Sequence, residues 1–127
     1  MFPGIIGRKL GITQLFQDGK ETVAVTAIQA GPSVITQIKS KDKDGYNAIQ
    51  MGFVEGKVKR SQLNSPQKGH LRGLENVRCL REFRTDDISS VKCGDKVDVG
   101  FLKHVDLVNV TGFSKGRGFA GVVKRHH

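Results

Sequence analysis

Ser33-Val-Ile-Thr-Gln-Ile-Lys39, the charged loop Lys41-Asp-Lys-Asp-Gly45, and Tyr46-Asn-Ala-Ile-Gln-Met-Gly-Phe-Val54 decide how this chain folds. Both outer runs are rich in β-branched and apolar residues, too short for buried helices, and joined by a polar connection containing glycine. They predict two neighbouring antiparallel strands. Upstream, Glu21 to Ala30 places Val23, Val25 and Ala27 on one face and Ala24, Thr26 and Ile28 on the other, which predicts a strand covered on both sides. Gly31-Pro32 breaks it. Further upstream, Gly4 to Phe16 is β-branched and interrupted by Gly4, Gly7 and Gly11, a pattern that fits a bulged strand, and Asp18-Gly19 is a hairpin signal.

Four consecutive strands with short connections predict an antiparallel meander that closes into a small β-barrel. The stretch from Glu55 to Val77 interrupts this pattern, being polar and basic, and Ser65-Pro66 reads as a cap followed by proline at the first helical position, giving a short helix to about Arg72. Strand signals return at Cys79–Arg84, Lys96–Gly100 and Val105–Thr111, and Phe119–Lys124 predicts a helical turn weakened by Gly121. The expectation is a mainly β protein. Its barrel domain spans 1–111, with a basic, partly helical insertion at about 55–77, and a basic glycine-rich extension follows at 112–127.

The net charge is +9 over 127 residues, and a domain this basic favours a polyanionic partner, nucleic acid before anionic membrane. Basic and acidic residues number 9 and 5 over 1–60, 7 and 6 over 61–100, and 5 and 1 over 101–127. The two ends therefore carry the excess. No apolar run is long enough to span a bilayer, and the N-terminus lacks the charged and apolar regions of a signal peptide. Cys79 and Cys93 are too few for a disulfide scaffold or a four-ligand zinc site, and read as reduced thiols.

The segment Thr111 to His127 holds four glycines, four Lys/Arg, two histidines and no acid. Within it Gly116-Arg-Gly-Phe-Ala-Gly121 satisfies G-x-G-x-x-G, but only six residues follow. The acidic residue of a dinucleotide site and the downstream residues of a kinase have no room in this sequence. His70, His104, His126 and His127 are scattered, Asp86-Asp87 reads as a solvated turn, and no catalytic or metal-binding constellation is expected. Lysine and arginine neutralise phosphates, and glycine lets backbone N–H groups approach them. Aromatic residues make up only 6% of the chain, so folded RNA recognised through shape, phosphate and 2′-hydroxyl is preferred to single strands held by stacking. Gly7-Arg8-Lys9, and Lys57, Lys59 and Arg60 ahead of the short helix, would extend the footprint.

Gly4-Ile-Ile-Gly-Arg-Lys-Leu-Gly-Ile-Thr13, Gly45-Tyr-Asn-Ala-Ile-Gln50 and the signature Thr111 to His126 fall in the order in which universal large-subunit ribosomal protein three, in its bacterial form, carries its own motifs. The chain resembles that family from end to end. The resemblance implies a barrel of the kind shared with translation factors, on the solvent side of the large subunit, with an extension running inward towards the peptidyl transferase centre. It implies direct binding to large-subunit ribosomal RNA near its 3′ end, neighbouring ribosomal proteins as further partners, a part in early subunit assembly, and a cytoplasmic location. It implies no catalysis, cofactor, metal, membrane or small-molecule substrate.

By position, Ser114, Lys115, Gly116, Arg117, Gly118, Phe119, Lys124, Arg125 and His126 match the root of that extension, Arg8 and Lys9 match the family's basic start, and His127 is counted with the RNA-binding residues beside it. Ile12 stands where a methionine is common. Family members continue past Arg125 and return to supply further barrel strands, whereas this sequence stops at His127. The expected barrel is therefore incomplete, with open edges. The other readings to be weighed are an RNA-binding barrel of the translation apparatus outside the ribosome, and a nucleotide-dependent enzyme.

Overall fold

The computed structural model describes residues 3–17, 21–56 and 58–126. Strands β1 (Gly7–Gln17) and β2 (Glu21–Ala30) form an antiparallel hairpin in which the register shifts between Lys9 and Gly11. The glycine-interrupted run is thus a bulged strand, with Leu10 as the extra residue. The turn predicted at Asp18-Gly19 lies outside the described residues.

A second, four-stranded antiparallel sheet is built from β3 (Ser33–Lys39), β4 (Ala48–Phe53), β5 (Cys79–Arg84) and the short β6 (Lys96–Val97), in the spatial order β5-β4-β3-β6. The loop read between β3 and β4 contains one helical turn, α1 (Lys41–Asp44), closed by Gly45 in the left-handed conformation. The insertion contributes a 3₁₀ turn, Arg60–Gln62, and a short helix, α2 (Ser65–His70). The helix cap lies one residue earlier than expected. Asn64 is the cap, and its backbone N–H donates to the Gln67 side-chain oxygen at 2.9 Å.

The fold is mainly β, but the described strands form two sheets and close no barrel. Strands β2 and β3 do not pair as a meander requires, because the edge of β3 away from β4 is already taken. Ser33 and Val34 pair with β6, the Ile35 N–H donates to Asp95 O at 2.9 Å, and the Gly94 N–H donates to Ile35 O at 2.8 Å. Gly31 turns the chain away at φ 73°, where an added Cβ would lie 3.1 Å from Val97 O. The Gly31 N–H donates to Ile6 O at 3.1 Å, carrying the hairpin ladder one step past Gly7 and Ala30, and Ile6 packs into the core of the sheet.

The four-stranded sheet has a core on each face. On one side Ile35, Ile49, Met51 and Phe53 pack with Ile6 and Val97. On the other, Val34 packs with Leu63, Leu71 and Val77 of the insertion. Val77 comes so close that a Cβ on Gly52 would stand 2.4 Å from its Cγ2.

Three further expectations are corrected. The strand β2 is not covered on both faces. Val23 and Ile28 are exposed, as are Leu10, Ile12, Leu15 and Phe16 on β1, because within the described residues no second layer lies over the hairpin. Val105–Thr111 is not a strand: a 3₁₀ segment, Val99–His104, precedes it, and Leu107, Val108 and Val110 stand in solvent with no ladder partner among the described residues. The shorter strand signal at Lys96–Gly100 holds only for Lys96 and Val97.

Candidate nucleic-acid interface

From Asp106 to His126 every described residue except Ala120 is exposed. This segment has no regular structure until α3 (Val122–His126), whose three basic residues Lys124, Arg125 and His126 fall in its last turn, the end that carries the negative partial charge of the helix. Ser114, Lys115, Gly116, Arg117, Gly118 and Phe119 lie in the irregular part and are open to solvent. The G-x-G-x-x-G match therefore precedes a five-residue helix and is not directly preceded by a strand, and every strand pair among the described residues is antiparallel. That is not the parallel βαβ setting in which such glycines hold a dinucleotide.

Phe113 and Phe119 are fully exposed. They flank Ser114 to Gly118, so cations and flat apolar surfaces alternate along one extended stretch. The low aromatic content of the sequence points away from stacking, and the exposed Phe113 lies outside the residues expected from the sequence. Its position between Gly112 and Ser114, away from any alternating apolar pattern, was the available signal.

Arg8 and Lys9 are exposed on β1, and Arg8 forms an ion pair with Glu55 at the start of the insertion. Lys59 and Arg60 are exposed around the 3₁₀ turn. Lys57 and His127 lie outside the described residues. The structure joins Arg8 to the insertion through Glu55, while the predicted residues of 114–126 stand apart on the exposed segment.

A polar network not expected from the sequence occupies the second face of the sheet beyond the insertion. The Tyr46 hydroxyl donates to Glu82 at 2.7 Å and accepts from Lys39 Nζ at 3.1 Å, and Lys39 also pairs with Glu82 at 3.2 Å. Gln50 donates to Glu82 at 3.3 Å, and its side-chain oxygen accepts from Thr36 at 2.9 Å and from the His70 ring at 2.7 Å. The Arg84 guanidinium and the Lys39 ammonium lie 5.2 and 5.3 Å from the centre of the Tyr46 ring. The Tyr46 hydroxyl, with Lys39 and Gln50, holds the Glu82 carboxyl below its ordinary range, and the Lys39 ammonium is raised chiefly by Tyr46 and then by Glu82.

Asp87 accepts from the Ser89 N–H at 3.0 Å and from its hydroxyl at 2.9 Å, as the predicted turn requires. Among the described residues no group of three or more His, Cys, Asp or Glu could hold a metal, and no helix is long and apolar enough to cross a membrane.

No family model matches the chain. Individual relatives do. Large ribosomal subunit protein uL3 of Herpetosiphon aurantiacus is 49% identical over 127 residues, covering 99% of this chain and 59% of the relative. The uL3 proteins of a Roseiflexus species and of Brachyspira pilosicoli are 49% and 46% identical, covering 99% and 98% of this chain and 60% and 57% of the relatives. The chain thus spans about 60% of the length of the curated relatives it matches. Along nearly its whole length, then, the chain is similar to uL3 proteins of the large ribosomal subunit.

Proposed function

We propose that this protein is a structural, non-catalytic constituent of the large ribosomal subunit that binds large-subunit ribosomal RNA directly, in the cytoplasm. The observation that carries the reading is the similarity to uL3 proteins along 99% of the chain. The geometry supports it through the acid-free, solvent-exposed stretch after Asp106, whose cations meet no carboxylate among the described residues. Lys115, Arg117, Lys124 and Arg125 would neutralise phosphates, Ser114 and the glycine N–H groups would donate to phosphate or ribose, and Phe113 and Phe119 would stack on unpaired bases. Gly116, Gly118, His126 and His127 belong to the same contact. Arg8, Lys9, Lys57, Lys59 and Arg60 form its second part.

The finer reading of the fold is a barrel of the translation-factor type. Its wall includes the hairpin, and further sequence would cover the apolar side chains of Leu10, Ile12, Leu15 and Phe16. In this division residues 1–111 are the barrel with its insertion, and 112–127 the root of an extension directed towards the peptidyl transferase region. Contact near the 3′ end of the RNA, neighbouring ribosomal proteins and a role in early assembly follow from the family resemblance.

Sedimentation tests the assignment against that of an RNA-binding barrel working outside the ribosome. Tagged protein should travel with large subunits and stay on them through a moderate salt wash. Protein found only in the ribosome-free fraction would overturn the assignment.

A further inference from the structure

Two parts of the chain lack a ladder partner among the described residues, and they suit one another. The first is the outer edge of β1. From Leu10 to Phe16 this strand runs seven residues with no charged side chain and no proline, and β2 pairs with only one of its two edges. Natural sheets blunt an open edge with lysine, proline or bulges. Here the one bulge lies at the start of the run, at Leu10, and Ile12, Leu15 and Phe16 are exposed beyond it.

The second part is 105–111, also seven residues long, in which Val105, Leu107 and Asn109 alternate with Asp106, Val108 and Val110. The pattern is that of a strand. Among the described residues, however, 106–111 make no backbone hydrogen bond, and Leu107, Val108 and Val110 are exposed.

A strand-patterned segment without a ladder and a strand edge without a neighbour are the two halves of a strand addition. Each chain carries one of each and leaves them apart. A two-fold exchange between two copies satisfies both at once, and it closes, because no donor is left over to recruit a third copy. The apolar area is sufficient. Ile12, Leu15, Phe16, Leu107, Val108 and Val110 can each hide roughly 60–120 Å² on the hydrophobic transfer scale. Two copies then bury on the order of 1,000 Å², the size at which a specific interface begins.

We infer that the chain forms a two-fold homodimer by strand exchange, in which 105–111 of each copy adds to the outer edge of β1 of the other. The exchange leaves 112–126 outside the interface. Further sequence of the kind proposed to cover the hairpin would compete with the second copy for this edge, so the dimer is a property of the 127-residue chain.

The test is sedimentation equilibrium of that chain over a range of concentrations, in high salt that strips carried-over RNA. The mass should rise from monomer to dimer and stop there. Val108→Pro takes a backbone N–H from the donor segment and disturbs no backbone hydrogen bond of the described monomer. Ile12→Lys with Phe16→Lys puts charge on the acceptor edge. Each variant should weaken dimerisation about tenfold or more. The altered positions are exposed, so circular dichroism and the urea midpoint of dilute protein should match the parent. Mixed in equal amounts, the two variants should associate more tightly than either does alone, because the proline variant keeps its acceptor edge and the lysine variant its donor.

A parent that stays monomeric across the range, a proline variant that dimerises as the parent does, or a mass that climbs past the dimer would each overturn the exchange. None of these results bears on RNA binding, which is read separately from the salt dependence of RNA affinity.

Discussion

Ser33 is fully buried at the start of β3, and its hydroxyl has no partner among the described residues. An unsatisfied buried hydroxyl is a cost that alanine removes without opening a large hole. Ser33→Ala should therefore raise stability by about 1 kcal/mol, measured as a higher urea midpoint at unchanged slope; a lower midpoint would mean that the hydroxyl makes a contact. Glu82 makes a second prediction at this scale, through pH. Its folded-state carboxyl is held below the ordinary value of 4.5, so its contribution is complete above that value and is lost as pH falls through the lower folded value. Lys39 is raised above 10.5, so its contribution is present below that value and is lost as pH climbs through the higher folded one. Glu82→Gln should flatten the acid limb of stability against pH and leave the neutral plateau little changed, since the pair lies near the surface. A full acid limb in that variant would assign acid loss to other carboxylates.

At the scale of elements, Gly52 decides whether the insertion can seat on the sheet. Gly52→Ala would drive a methyl into Val77, which stands 2.4 Å from the new carbon. The expected cost is about 1–3 kcal/mol of overpacking, together with faster proteolysis between Glu55 and Arg78; unchanged stability and cleavage would show that Val77 can withdraw. The hairpin makes a different prediction, since Ile12 and Phe16 are 71% and 77% exposed. Ile12→Thr with Phe16→Ser should reduce self-association of the chain in light scattering and cost under about 1 kcal/mol of stability. A large loss of stability would mean that the hairpin is covered in solution.

These elements also show how far the sequence could be read. The β3 and β4 runs, the bulged first strand, the helix after Asn64 and the turn at Asp87 carry local signals in turn chemistry and periodicity, and they were legible. The pairing of strands was not. Nothing local in Gly94 to Val97 announces that it occupies the edge of β3 and so excludes β2. Nor does alternation in Val105–Val110 or β2 reveal whether a neighbour exists to bury it, because periodicity records a preference for partners and not their presence. The arm's cations were legible from the missing acids.

For the whole molecule, the central claim is that this uL3-like chain holds folded RNA by neutralising phosphates with cations its own acids leave free. The net charge of +9 bears on it only through distribution. In the packed body the ion pairs Lys39–Glu82 and Lys96–Glu75 cancel cations locally and Arg8 shares its charge with an exposed Glu55, while the cations of the exposed arm meet no carboxylate among the described residues. The measurement that tests this most directly is the affinity of the chain for a large-subunit ribosomal RNA fragment as a function of salt. Affinity should fall about a thousandfold or more between 50 and 200 mM salt if roughly six or more phosphates are neutralised. An affinity that stays flat across that range would contradict the account.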